Sequence, residues 1–436
     1  MSETICAVAT PPGRGGIGIV RISGSACQRV ARELLGFIPS PRTAIHTDFC
    51  APDGETLDSG IALYFPSPAS YTGEDVLELQ GHGSPIALER IVGCILDQGV
   101  RLANPGEFTE RAFRNDKLDL AQAEAVADLI ASGSAEAGRA ATRSLTGEFS
   151  LRIRELDQRV LKLRMFIESA IDFAEEEIDF LGDTEQQSRL DEMRSLVEAL
   201  IDRSTAGLTM QIGLDVAIAG APNVGKSSLL NRLLGEDRAI VTATAGTTRD
   251  TLHGDLSLDG LPVRLTDTAG LHASDDPIEL MGMERAQTAL STADCVLWVI
   301  DDADENLSTP DMYRGKTLVV RNKCDLTGNT PGAVGKTEFR TCALTGAGLS
   351  DVCEGLKQVA GFRAGTDAFA GRPRHIAALK RVDDALSQAA KELSVREGEL
   401  VAENLRVAHE SLGEIVGITT SDDLLGEIFS TFCIGK

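Results

Sequence analysis

The chain has 436 residues, 42% of them apolar and 25% charged, which leaves room for two to four globular domains of roughly 100–200 residues each. Lys and Arg number 42 against 66 Asp and Glu, a balance of −24 that argues against broad nucleic-acid binding, because such binding runs on phosphate neutralisation by a basic face. Apolar runs such as Cys295–Ile300 fall far short of the ~20 residues of a membrane span, no basic-then-apolar leader is visible, and nine Cys without a C-x-x-C pair and six His suit neither a disulfide framework nor a zinc site, so a reducing cytoplasm is expected.

Residues 1–117 read as mixed α/β. Ile17–Ile22 has strand character behind the Gly- and Pro-rich stretch Pro11–Gly16, Ile61–Phe65 and Val76–Leu79 are further short strands, and Ala87–Gln98 has helical spacing. From Leu118 to Thr205 glycine and proline thin out. Apolar residues then recur at three- and four-residue intervals, as at Leu156, Val160, Leu163 and Ile167, which predicts long amphipathic helices. The acidic patch Asp172, Glu175, Glu176, Glu177 and Asp179 lies here and reads as a solvated helix end or loop. Residues 213 to about 362 alternate short strands with helices, as an open parallel sheet does. Gly361–Arg374 has the composition of a linker, and helical periodicity resumes at Ile376. The simplest organisation is a helical domain, 118–212 and 366–436, interrupted by an α/β domain at 213–365 and preceded by a separate domain at 1–117. The basic cluster Arg372, Arg374, Lys380 and Arg381 is read either as an RNA contact or as ion pairs at a domain junction.

The strand Leu214–Ala219 runs into Gly220-Ala221-Pro222-Asn223-Val224-Gly225-Lys226-Ser227 and then a helix through Ser228–Leu234. This is G-x-x-x-x-G-K-S in a strand–loop–helix setting. Backbone N–H groups and a helix N-terminus converge on phosphate there, Lys226 reaches the β- and γ-phosphates, and Ser227 is a magnesium ligand. A second strand, Leu261–Thr266, ends in Asp267-Thr268-Ala269-Gly270, where the carboxylate holds magnesium through water and the glycine N–H senses the γ-phosphate. A third, Thr317–Val320, leads to Asn322-Lys323-Cys324-Asp325. The Asp325 carboxylate accepts from guanine N1–H and the exocyclic amine, a donor pair that adenine lacks. Cys342-Ala343-Leu344 places a backbone N–H near guanine O6. Between them Gly246-Thr247-Thr248 supplies a threonine to close over magnesium, Thr248 ahead of Thr247.

These four ordered motifs resemble the small-GTPase superfamily, with one departure. After the glycine of D-x-x-G stands Leu271, which cannot orient water, so that role falls to a neighbour among His272, Asp275, Asp276 and Glu279. No arginine finger can be assigned. A monovalent cation could neutralise the charge developing between the β- and γ-phosphates instead, and the side-chain oxygen of Asn223 suits such an ion. At the other end, Ser421–Phe429 reads as an N-capped amphipathic helix that delivers the tail Phe432-Cys433-Ile434-Gly435-Lys436.

Taken whole, the chain resembles the tRNA-modification GTPases called MnmE or TrmE. The resemblance is carried by Ala9–Gly16, Tyr71-Thr72-Gly73-Glu74-Asp75, Gly81-His82-Gly83, Asn104-Pro105-Gly106-Glu107-Phe108, Asn115–Leu120, the phosphate loop and the terminal Cys-Ile-Gly-Lys. It implies a multidomain α/β and all-α fold: an α+β N-terminal folate-binding and dimerisation domain, a helical bundle domain and an inserted Ras-like α/β GTPase domain. It implies 5-formyl- or 5,10-methylene-tetrahydrofolate at Arg21, Glu78, Lys117 and Lys436. Nucleotide contacts are expected at Asn223, Val224, Gly225, Lys226, Ser227, Ser228, Thr242, Ala243, Thr244, Ala245, Gly246, Thr247, Thr248, Asp267, Thr268, Ala269, Gly270, Asn322, Lys323, Asp325, Cys342, Ala343 and Leu344. Mg²⁺ falls to Ser227 and Thr248, and K⁺ to Asn223, Thr242, Thr244 and Thr247. Glu279 matches the water-orienting carboxylate, and Glu279, Lys226 and Cys433 are the expected catalytic residues.

The last guanine motif departs from the family's usual Ser-Ala-x, but its contact is made by backbone. The resemblance further implies a homodimer that joins an FAD-dependent MnmG (GidA) subunit in a heterotetramer. That complex installs an aminomethyl or carboxymethylaminomethyl group on C5 of the wobble uridine of tRNA. The activity expected is GTP hydrolysis stimulated by potassium. A GTP-dependent binding switch such as a ribosome-assembly factor would share the nucleotide motifs, but it would not need residues 1–117 or the tail. A stand-alone folate-dependent methyltransferase fits less well, since no nucleophile–base pair is visible in the sequence.

Overall fold

A computed structural model describes residues 3–172, 184–235, 253–267, 290–304, 317–362, 367–419 and 421–435. The chain divides into two compact units, one of Met1–Ala127, Ser144–Met193 and Arg381–Lys436 and one of Asp128–Arg143 and Arg194–Lys380.

The first unit contains a sheet of β1 (Ile5–Val8), β2 (Gly15–Ser23), β3 (Ile45–Cys50), β4 (Thr56–Phe65), β5 (Val76–Gly83) and β6 (Arg101–Leu102), in the order β3-β4-β5-β2-β1-β6. Only the β1–β6 pair is parallel among these strands. Alternation decides which face is buried. Along β5, Leu77 and Leu79 are buried while Glu78, Gln80 and His82 are at least partly accessible. The buried set, with Val20, Ile22 and Phe49, packs against Val30, Leu34, Leu88, Ile91 and Ile95 of the helices Cys27–Leu35 and Pro85–Leu96. The opposite face keeps the polar row.

In the same unit the Glu148–Asp172 helix packs along Gly398–Val416, and His409 Nδ1 meets Asp157 Oδ1 at 2.5 Å. Two helices far apart in the chain therefore associate within this unit. Ser421 caps the last helix, Asp422–Ser430, by accepting from Leu424 N–H.

The second unit holds β7 (Leu214–Gly220), β8 (His253–Leu258), β9 (Leu261–Asp267), β10 (Cys295–Asp301), β11 (Thr317–Asn322), β12 (Gly332–Ala333) and β13 (Glu338–Arg340), in the order β12-β13-β11-β10-β7-β9-β8. The centre is parallel, as expected. Both edges, β8 and β12, pair antiparallel to their neighbours. The cause of the first is Asp259-Gly260, with φ of 54° and 98°, a two-residue turn closed by Leu258 opposite Leu261. Ile218, Leu229, Leu230, Leu297, Val299 and Val320 form the core beneath the nucleotide loops, and truncating one such leucine to alanine costs about 2–5 kcal/mol.

No described helix is long and apolar enough to cross a membrane. The basic cluster is drawn into ion pairs in part. Arg372 Nη2 lies 2.6 Å from Asp128 Oδ1, and Arg381 pairs with Glu414.

Candidate nucleotide and ligand sites

The phosphate loop joins β7 to the Lys226–Gly235 helix. Asn223 takes a left-handed conformation (φ 62°) and stays exposed, a conformation asparagine tolerates better than other side chains do. Lys226 turns back over its own loop, and its Nζ donates to Gly220 O at 2.9 Å and Ala221 O at 2.8 Å. Burial draws its pKa below the ordinary lysine value, against the opposing charge of Asp267. The cation thus sits at the loop mouth, where phosphate oxygens would replace the two carbonyls. Beside it, Ser227 Oγ donates to Asp267 Oδ2 at 3.1 Å, and Asp267 is buried at the end of β9. Two hard oxygen donors brought together are the ligand type Mg²⁺ accepts.

The guanine loops are tied to this cradle by one side chain. Asn322, buried at the end of β11, donates from Nδ2 to Val224 O (2.8 Å) and accepts at Oδ1 from Ala343 N–H (2.9 Å). Gly225 (φ 99°) lies directly under it, and a Cβ there would overlap Asn322 Nδ2. Lys323 is left-handed (φ 68°) and donates to Asp301 Oδ2 at 2.9 Å, while Asp325 remains exposed. Cys342 and Ala343 are buried, with their N–H groups bonded to Ala347 O (3.0 Å) and Asn322 Oδ1 (2.9 Å), and Leu344 is exposed.

In the first unit, Arg21 of β2 and Glu78 of β5 are direct register partners, joined by Arg21 Nε to Glu78 Oε1 at 2.8 Å. The guanidinium stacks near Tyr71 (5.6 Å) and Phe108 (5.8 Å). Lys117 Nζ donates to Pro68 O at 3.1 Å, so both cations touch the 66–75 loop, Arg21 through Tyr71 and Lys117 through Pro68. The motif around Glu107 explains itself structurally. Its carboxylate accepts from Asn104 N–H (2.9 Å), from both terminal nitrogens of Arg101 (2.8 and 2.6 Å) and from Arg111 Nη2 (2.8 Å). The tail is seated on this unit too. Phe429 and Phe432 pack with Leu120 and Ala123, Gly106 N–H donates to Cys433 O at 3.3 Å, and Gly435 abuts Val8 and Ala9. Val8 and Ala7 are the register partners of Val20 and Arg21, so the chain end lies beside the strand pair that carries Arg21. Cys433 itself is exposed.

The family model described as MnmE helical domain matches residues 120–433, and that described as GTP-binding protein TrmE N-terminus matches residues 4–117. The chain belongs to the MnmE family. The tRNA modification GTPases MnmE of Stutzerimonas stutzeri and Saccharophagus degradans are each 48% identical, across 100% of this chain and 99% of theirs. That of Sodalis glossinidius is 49% identical over the same shares.

Of the residues expected at the nucleotide site, the structure gathers Asn223, Val224, Gly225, Lys226, Ser227, Ser228, Asp267, Asn322, Lys323, Asp325, Cys342, Ala343 and Leu344 at one end of the seven-stranded sheet. Thr242, Ala243, Thr244, Ala245, Gly246, Thr247 and Thr248 lie outside the described residues. So do Thr268, Ala269 and Gly270, Leu271, His272, Asp275, Asp276 and Glu279, Glu175, Glu176, Glu177 and Asp179, and Lys436.

Sequence reasoning missed one supporting group. Asp302, whose side chain is fully buried, accepts from Asn329 Nδ2 (2.8 Å), Arg340 Nε (3.1 Å) and Thr327 Oγ1. Its pKa is held below the ordinary range: burial raises it, but those hydrogen bonds outweigh burial. With Asp301 on Lys323, it clamps the loop that carries Asp325. The signal was an Asp-Asp pair at the end of a strand, which alone says nothing about its partners.

Proposed function

We propose that this chain is a GTP hydrolase whose turnover is coupled to modification of tRNA, and that hydrolysis is stimulated by potassium. The observation that carries the nucleotide reading is the joint placement of Lys226 at the loop mouth, Ser227 on Asp267 and Asn322 across Val224 and Ala343. Lys226 binds and orients the β- and γ-phosphates. Ser227 and Asp267 would hold Mg²⁺, with Thr248, and Asn223 with the Thr242, Thr244 and Thr247 segment would hold K⁺. Bound, the two cations supply the positive charge that offsets charge building on the phosphate oxygens. Asp325 selects guanine, and Glu279 orients the attacking water.

The N-terminal domain would take a reduced folate, 5-formyl- or 5,10-methylene-tetrahydrofolate, at Arg21, Glu78, Lys117 and Lys436. Glu78 accepts from a pterin edge, and the cations receive glutamyl carboxylates. The folate supplies the one-carbon unit. Homodimerisation through residues 1–117, an FAD-dependent MnmG-type partner, a requirement for Cys433 in wobble-uridine modification and a cytoplasmic location complete the reading. Support comes from membership of the family and from the seating of the tail beside the Arg21 strand.

The test is GTP turnover in potassium against sodium salts. Equal rates would remove the cation-assisted mechanism. Glu279→Ala should bind GTP and lose most turnover, and an unchanged rate would remove Glu279 from the site. Calorimetry with a reduced folate separates this reading from a simple GTP-dependent switch, which would show no binding.

A further inference from the structure

Gly81-His82-Gly83 is a motif that neither nucleotide nor folate contacts account for. In the structure it builds a carboxylate–histidine pair. Asp58, in β4, has a side chain only 9% exposed, and it accepts from His82 Nδ1 (2.7 Å), His82 N–H (2.7 Å) and Ser59 N–H (2.8 Å). Burial pushes its pKa up, but the His82 and Ser59 hydrogen bonds outweigh that and hold it below the ordinary carboxylate range. An ionised acceptor at Nδ1 selects the tautomer with the proton on Nδ1 and leaves Nε2 as the free nitrogen. The His82 side chain is 74% exposed, so that nitrogen is presented to solvent. The neighbouring glycine serves the same geometry. A Cβ on Gly81 would overlap Asp58 Oδ2, so only glycine lets the carboxylate pass beneath the strand.

The pair is also well placed. Glu78, Gln80 and His82 alternate with buried residues along β5 and therefore share the open face of the sheet. Arg21 lies across from Glu78, and Gln80 Nε2 reaches Glu78 Oε2 at 3.3 Å. One polar strip runs from Arg21 and Glu78 to His82, about 13 Å along the strand at ~3.3 Å per residue. It suits an elongated ligand with a hydrogen-bonding ring at one end and, further along, a nitrogen that must gain a proton as its bond to carbon breaks.

We propose that Asp58 and His82 form a proton-transfer site acting on N10 of a 5,10-methylene-tetrahydrofolate bound along this strip. The proposal rests on the folate reading above. Opening the one-carbon bridge breaks the bond between the carbon and N10. The electron pair stays on N10, the N5 lone pair forms the second bond to the carbon, and His82, whose exposed Nε2 has first taken up a proton from solvent, delivers that proton to N10. Asp58 stabilises the imidazolium before transfer and holds the ring afterwards. His82 is the catalytic residue here and Asp58 the positioning residue.

The experiment uses full-length chain with its FAD-dependent partner, tRNA, GTP and 5,10-methylene-tetrahydrofolate. Calorimetry should show His82→Gln binding the folate within about threefold of wild type, while modification falls by about a hundredfold or more. Added imidazole should restore at least tenfold in His82→Ala, and the His82 ring NMR signals should move when folate is added. A wild-type rate in His82→Gln, a loss that imidazole does not rescue, or ring signals unmoved by bound folate would overturn the proposal. So would loss of folate binding in His82→Gln, which would make His82 a binding group. Failure of the wild-type chain to bind any reduced folate would instead remove the folate reading itself.

Discussion

Asn322→Ala tests the idea that one buried amide couples phosphate binding to guanine binding. In the folded chain the side chain spans two loops, with Nδ2 on Val224 O at 2.8 Å and Oδ1 receiving Ala343 N–H at 2.9 Å. Alanine removes both bonds and leaves a carbonyl and an N–H buried. Each orphaned group costs about 1–3 kcal/mol, so the second unit should lose about 2–4 kcal/mol once partial hydration of the gap is allowed for. Nucleotide affinity should fall with it, because the ligand must then order two loops that the amide had already ordered. A loss of tenfold to a hundredfold in GDP affinity is expected, about 1.4–3 kcal/mol. The assay is titration of a fluorescent guanine nucleotide, with denaturant unfolding of the same variant. GDP affinity within twofold of wild type, in a variant that has lost stability, would refute the coupling and leave Asn322 a packing residue only.

Asp325→Asn should weaken GTP by about a hundredfold or more, since two charge-assisted hydrogen bonds of about 1.5–3 kcal/mol each are lost. It should improve binding of xanthosine triphosphate, whose C2 carbonyl accepts from the new amide. Competition titration reads both, and unchanged selectivity would displace Asp325 from the base. Glu107 gives a pH prediction. Burial raises its carboxyl pKa, but Arg101, the Asn104 N–H and Arg111 outweigh burial and hold it at about 2 against an ordinary 4.5. The folded value is the lower one, so its contribution is complete above pH 4.5 and is lost as the pH falls towards 2. It amounts to about 3 kcal/mol. Glu107→Gln should flatten the stability profile in that window, and a profile identical to wild type would refute the assignment. Gly435→Ala, with a Cβ that would overlap Val8 O at φ 95°, should unseat the tail and cut tRNA modification while GTP turnover is kept. Full modification would show that the seating of the tail is incidental.

The contrast between what the sequence could and could not reveal follows from how each site is built. The phosphate loop is a local structure: Gly220, Gly225, Lys226 and Ser227 act within one turn between β7 and its helix, so spacing along the chain is spacing in space. The guanine motif is equally local at Asn322–Asp325. Its supports are not, because Asp302 gathers Thr327, Asn329 and Arg340 from three separate positions. Arg21 and Glu78 needed a strand register to meet, and no periodicity in either segment reveals register; the resemblance named them, and the structure pairs them. The antiparallel edge β8 was legible in principle from Asp259-Gly260, but a two-residue turn is easily lost beside a stronger parallel pattern.

The Asp58–His82 pair is the sharpest instance. Twenty-four residues separate the two, and an isolated His between glycines has no chemical reading of its own. The meaning comes from the absent side chain at Gly81, which clears the path for a carboxylate from the adjacent strand. A glycine therefore does different work in the two units. At Gly225 it admits the Asn322 amide that joins two loops, and at Gly81 it admits the carboxylate that orients the His82 ring. In both places the constraint is set by a partner distant in sequence, so a substitution there should be judged by the group it would displace. Gly81→Ala should accordingly reproduce the loss in His82→Gln, with the imidazole still present, if Asp58 must reach His82 for proton transfer. Modification at the wild-type rate in Gly81→Ala would show that the ring needs no carboxylate beneath it.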